Sequence, residues 1–133
     1  MPTSTHDRTI LVVDDDEDIC SLVAAILEDE GYAVRTAANG AEALKNLRTL
    51  GKPDLILLDM KMPVMDGWEF ARRLRTECAD DVPVVVFSAA ENPALRASEV
   101  HAKGWIGKPL ELDALLDAVS RNVRSSAHAV APD

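Results

Sequence analysis

Three short apolar runs constrain this chain most: ILVV (Ile10–Val13), LILL (Leu55–Leu58) and VVVF (Val84–Phe87). None alternates with polar residues. Successive side chains of a strand point to opposite faces, so an unbroken apolar strand must be covered on both sides, as in a parallel sheet. Each run ends abruptly in a polar residue, at Asp14, Asp59 and Ser88. Weaker candidates at Ala33–Thr36 and Trp105–Gly107 suit the edges of the same sheet, where less of a strand is buried.

Helical patterns separate the strands. Ile19, Leu22, Val23, Ile26 and Leu27 follow the i, i+3, i+4, i+7 spacing, and Gly31 is placed to end that helix. Asn39 is placed to cap a second helix, Gly40–Leu50, with Glu42 completing a capping box; Asp66 and Glu69 repeat the device for a third helix carrying Phe70 and Leu74. A fourth helix is expected from about Pro93 to Ala102, poorly patterned. A fifth follows Pro109, with Leu112, Leu115, Leu116 and Val119 on one face. Strand and helix thus alternate five times, which predicts a single doubly wound α/β domain with helices on both faces of an open parallel sheet. The domain is expected to span residues 9–123, between an N-terminal tail (1–8) and a C-terminal tail (124–133).

Length and charge narrow the function classes. A chain of 133 residues with 47% hydrophobic content suits one globular domain with a real core. A net charge of −9 argues against a direct nucleic-acid surface, because phosphate backbones are bound by clustered Lys and Arg. No apolar run is long enough to insert into a membrane, and MPTSTHDR lacks the apolar core of a signal region, so a cytoplasmic location is expected. The two cysteines, Cys20 and Cys78, have no metal-ligand spacing and read as small buried or half-buried thiols.

Ligands of open α/β sheets bind beyond the carboxyl ends of the strands. There the first strand delivers Asp14 and Asp15, the third Asp59, the fourth Ser88, and the fifth leads into Lys108-Pro109. Asp16, Glu17 and Asp18 are better read as favouring the dipole of the following helix. Taken singly, Asp59 could begin a turn and Lys108 could be a solvated loop residue. Together, three carboxylates in one cleft repel one another unless a cation enters, and an all-oxygen donor set on a shallow surface suits Mg²⁺. A lysine and a hydroxyl beside that ion make a cradle for a phosphoryl group, with a carboxylate as the nucleophile.

The segments VVDDDEDI, LDMKMPVMDGWE, VFSAAE and GWIGKPL closely resemble the motifs of the response-regulator receiver domain of two-component signalling, of the standalone, chemotaxis-regulator-like kind. The resemblance runs from Thr9 to about Val123. It implies a flavodoxin-like fold with strand order 2-1-3-4-5 and Asp59 as acceptor of a phosphoryl group from the phosphohistidine of a sensor kinase or phosphotransfer protein. It also implies Mg²⁺ bound by Asp15 directly, by Asp14 chiefly through water, by Asp59 and by the backbone carbonyl of Lys61, whose side chain reads as solvated. Lys108 would pair with the phosphoryl oxygens, with a cis bond to Pro109. Ser88 would move to the phosphate, and Trp105 would turn inward to change binding of a downstream protein, unless it simply covers an edge strand in both states. Lys61 and Ala90 sit where receivers tune phosphoryl lifetime. Such a protein is no conventional enzyme; at most it catalyses its own phosphorylation and dephosphorylation.

The chain departs from the pattern in two places. Most relatives carry Tyr or Phe at the position of Trp105, and the Ser88–Lys108 segment, with its HAKGW stretch, is about two residues short. The fourth helix is therefore expected to be short or irregular, which weakens analogies about the output face but not about the phosphoryl chemistry. Three alternatives stay open: a phosphate-independent binding module, a relay intermediate between histidines, and an Mg²⁺-dependent phosphatase of another α/β family. The last usually carries a second Asp two residues after its nucleophile, where this chain has Lys61. The tail Arg124–Asp133 resembles no helix-turn-helix or enzyme, and a standalone regulator is favoured over a receiver cut from a longer protein.

Overall fold

A computed structural model describes residues 8–78, 82–88 and 92–123. The elements run β1 (Thr9–Val13), α1 (Glu17–Asp29), β2 (Ala33–Ala37), α2 (Gly40–Leu50), β3 (Leu55–Leu58), α3 (Gly67–Cys78), β4 (Val84–Ser88), α4 (Pro93–Glu99), β5 (Gly104–Gly107) and α5 (Leu112–Asn122). All strand pairs are parallel, in the order β2-β1-β3-β4-β5.

The apolar runs are continuous because each strand feeds two cores. Leu11, Val13, Ile56, Leu58, Val84 and Val86 pack on one face with α2, α3 and α4. Their alternates Ile10, Val12, Leu55, Leu57, Val85 and Phe87 pack on the other with α1 and α5. The seam of α1 is Cys20, Val23 and Leu27, all buried, whereas Leu22 is exposed. On α5, Leu115 and Val119 are buried and Leu112 is exposed, so the buried stripe is narrower than the apolar pattern.

Local signals fix the helix ends. Asp16 caps α1 by accepting from the amides of Asp18 and Ile19. Gly31, at φ 100°, closes that helix as its amide bonds the Glu28 carbonyl and the Tyr32 amide that of Leu27. Asn39 accepts from the Glu42 amide, and Glu42 answers at the amide of Ala38, one residue earlier than the standard box. At α3 the box is half closed. Asp66 accepts from the Glu69 amide, but the Glu69 carboxylate turns away to Arg72 and Arg73, which hold its pKa down at about 2.

The fourth helix corrects the expected boundary. It ends at Glu99 rather than Ala102, because His101 takes a left-handed conformation (φ 58°) and the Ala102 amide closes back on the Ala97 carbonyl at 2.9 Å. This seven-residue helix is held to α3 by side chains. The Trp68 indole donates to Glu99 at 2.9 Å, Arg96 lies over the Trp68 ring, and Arg75 donates to the Val100 carbonyl. No helix among the described residues is long and apolar enough to cross a membrane.

Candidate functional site

From β1 the chain leaves toward β2 on one side, and from β3 toward β4 on the other, so the ends of β1 and β3 flank a topological switch point, where α/β sheets open a crevice. Both ladders run one residue past the strands. The Asp14 amide donates to the Ala37 carbonyl at 3.0 Å, and the Asp59 amide to the Val13 carbonyl at 2.9 Å. The two aspartates are thereby pinned to the sheet, although strand periodicity alone would have left them in loops. The Asp14 carboxylate also accepts from the Asp16 amide, while its carbonyl accepts from the Cys20 thiol. Burial pushes that thiol up to about 11, so Cys20 is an inert packing group.

Asp14, Asp15 and Asp59 converge, each offering a carboxylate oxygen within 4.8 Å of the others. Asp14 and Asp59 are buried, at 2% and 7% exposure, whereas Asp15 faces solvent. Burial first, and then the charge of Asp14, raise the Asp59 carboxyl from 3.8 to about 6, against the pull of Lys108. The donor set is all oxygen, closed on the protein side and open at Asp15, which fits a hard dication that keeps part of its water shell.

Lys108 enters from the end of β5. Its amide donates to the Ser88 carbonyl at 3.2 Å, its ammonium donates to Asp14 Oδ2 at 2.6 Å, and the bond to Pro109 is cis. Ser88 is buried at the end of β4. Trp105, 51% exposed, lies outside the cleft on β5, paired in register with Val86. Lys61 lies in the β3–α3 loop with an exposed side chain. Ala90 falls outside the described residues.

The β3–α3 loop is unusually tight. The Gly67 amide returns to the Met60 carbonyl at 2.9 Å, and the Gly40 amide of α2 bonds the Met65 carbonyl at 3.0 Å. Within the loop, the Met65 amide reaches the Pro63 carbonyl across Val64, whose φ is 69° and which is 84% exposed. A β-branched residue there is strained by about 1–3 kcal/mol, and it makes no compensating burial. Val64→Gly should therefore stabilise the domain by about 1 kcal/mol net of glycine's extra chain entropy, measured by urea denaturation. A loss of stability would show that the loop tolerates this turn without strain. The sequence marked Asp66-Gly67 as a helix start but gave no sign of the Val64 turn.

A sequence model of the response regulator receiver domain matches residues 10–120, and the chain belongs to this family. It is 39% identical over 126 residues to the transcriptional regulatory protein PrrA of Mycobacterium leprae, covering 93% of this chain and 53% of that protein. The chain therefore spans about half the length of PrrA, as it does of the MprA response regulators it also matches. It is 38% identical to sporulation initiation phosphotransferase F of Bacillus subtilis, covering 86% of this chain and 93% of that one. Among solved structures it resembles the response regulator TrrA of Thermotoga maritima in complex with Mg²⁺ and BeF. The TM-score is 0.78 and the identity 34%, with 87% of this chain and 99% of that chain covered. The flavodoxin-like fold is thus common to sequence, topology and relatives.

Proposed function

We propose that the protein is a phosphoacceptor signalling switch in which Asp59 takes the phosphoryl group. The observation that carries this is the meeting of three carboxylates at the switch point, with the Lys108 ammonium facing them at 2.6 Å from Asp14. With its pKa near 6, Asp59 is mostly ionised at neutral pH and so is available as a nucleophile. A carboxylate oxygen of Asp59 forms the bond to phosphorus. The P–N bond of the donor phosphohistidine breaks, and its electron pair stays with the imidazole, which takes a proton. The product is an acyl phosphate, open to attack by water.

Asp14, Asp15, Asp59 and the Lys61 carbonyl would hold Mg²⁺, which supplies neutralisation of the charge on the phosphoryl oxygens. Lys108 offsets further charge, Ser88 donates a hydrogen bond to a phosphoryl oxygen, and Trp105 on β5 carries the change to partner binding. The donor is a sensor histidine kinase or phosphotransfer protein, and the output is a changed affinity for a downstream protein. One observation favours the relay reading as a second choice: the likeness to a sporulation phosphotransferase spans nearly all of that protein.

Intact mass after incubation with acetyl phosphate tests the switch reading. A gain of one phosphoryl group with Mg²⁺ and none with chelator is expected. No gain under either condition, nor from a phosphohistidine donor, would favour the phosphate-independent binding module.

A further inference from the structure

Among the described residues, two direct contacts hold the Lys108 ammonium. One is Asp14 Oδ2 at 2.6 Å; the other is the ring of Phe87, whose centroid lies 5.0 Å away. Phe87 is 1% exposed and packs in the core shared by α1 and α5, one residue before Ser88. The Lys108 side chain is only 16% exposed, and its backbone amide is tied to the Ser88 carbonyl. Ring and ammonium are thus held in register by adjacent strand ends, and the contact lies largely out of water.

An aromatic face carries negative charge density and attracts an ammonium, more strongly as water is excluded. The two contacts of Lys108 do not share one fate. A cation bound at the carboxylate cluster draws on the charge of Asp14, and the ion pair to Lys108 weakens accordingly. The ring is unaffected by that event. A lysine whose ion pair to Asp14 is weakened would otherwise sample more rotamers, and ordering it again would oppose anion capture.

We propose that Phe87 is a positioning residue for Lys108. Its ring face retains the ammonium at the cleft when the cation engages Asp14, so that the positive charge is in place before the phosphoryl group arrives. This rests on the phosphoacceptor reading of the site. A residue that merely filled the core would do so equally well with a ring of the same shape and altered charge distribution. That difference makes the two roles separable.

The test is a series in the full chain, with p-fluorophenylalanine and pentafluorophenylalanine incorporated at position 87 and Phe87→Leu beside them. Affinity for beryllofluoride, a phosphoryl mimic, is measured at saturating Mg²⁺, together with magnesium affinity and the thermal midpoint. The pentafluoro ring should weaken beryllofluoride binding about three- to tenfold, with the monofluoro ring between it and wild type. Magnesium affinity and thermal midpoint should stay at wild-type values across the fluorinated series, and Phe87→Leu should lose a similar factor in beryllofluoride binding. Equal beryllofluoride affinity across the series, or a loss that merely follows the thermal midpoint, would overturn the role of Phe87. A wild-type chain that fails to bind beryllofluoride would overturn the phosphoacceptor reading itself, and the positioning role with it.

Discussion

Asp59→Asn is expected to make the unligated domain more stable at pH 8 while removing its capacity to take a phosphoryl group. The sign follows from the carboxyl group's raised pKa. In the folded chain Asp59 titrates near 6, against 3.8 when unperturbed, so the folded state holds this proton more tightly than the unfolded one. The stability it contributes is fully present below pH 3.8 and is lost as pH rises through about 6. A shift of this size corresponds to at most about 3 kcal/mol. The asparagine does not ionise, so its stability curve lacks that decline. Apart from a constant offset, the gap between variant and wild type should open from pH 4 and level off above pH 7, reaching about 5–10 °C in thermal midpoint. On the phosphoacceptor reading, Mg²⁺ should narrow the gap, because it would enter the carboxylate cluster of the folded wild type and relieve the same repulsion. A gap independent of pH, or one that closes as pH rises, would contradict the burial and repulsion assigned to Asp59.

Gly67→Ala should damage both fold and function. A Cβ at this position would lie 2.7 Å from the Asp59 carbonyl oxygen, 2.8 Å from Met60 Cα and 2.8 Å from Met60 Sδ. Two of those atoms are backbone, so no flexible side chain can yield alone. Overpacking of this kind costs about 1–3 kcal/mol. The loop that must shift is the one carrying Asp59, and a displacement near 1 Å at a reacting group can slow the reaction by about 10²-fold. Gly40→Ala is the informative comparison. Its Cβ would meet chiefly the Met65 side chain, at 2.7 and 2.9 Å, which can swing aside more readily. Chemical denaturation and the rate of uptake from acetyl phosphate would measure both variants. A Gly67→Ala chain that phosphorylates at the wild-type rate would show that the approach of α3 to the acceptor loop does not set the site.

Much of this was legible in the sequence, for identifiable reasons. ILVV, LILL and VVVF read as two-face-buried strands because each alternate residue enters a different core. Asp14, Asp15, Asp59 and Lys108 were legible as neighbours because a parallel sheet gathers its carboxyl ends. What the sequence hid depends on long-range geometry or on unusual local conformation. No period or cap signals that His101 turns left-handed and ends α4 at Glu99. Glu69 has the spacing of a capping box yet prefers two arginines on its own helix. The partner of Lys108 in the unligated protein, Asp14, lies 94 residues away, and the Phe87 ring that flanks it looked like an ordinary core residue. Close approach explains Gly67, which composition could only mark as a helix start.

The most direct test of the central claim is to locate the phosphoryl group. Wild-type chain treated with acetyl phosphate and Mg²⁺ would be reduced with borohydride, which converts an acyl phosphate to an alcohol, and its peptides sequenced by mass spectrometry. Homoserine at position 59, with Asp14 and Asp15 intact and no conversion when Mg²⁺ is chelated, is the expected result. Conversion at Asp14 or Asp15 instead, or at none of the three, would contradict Asp59 as the acceptor.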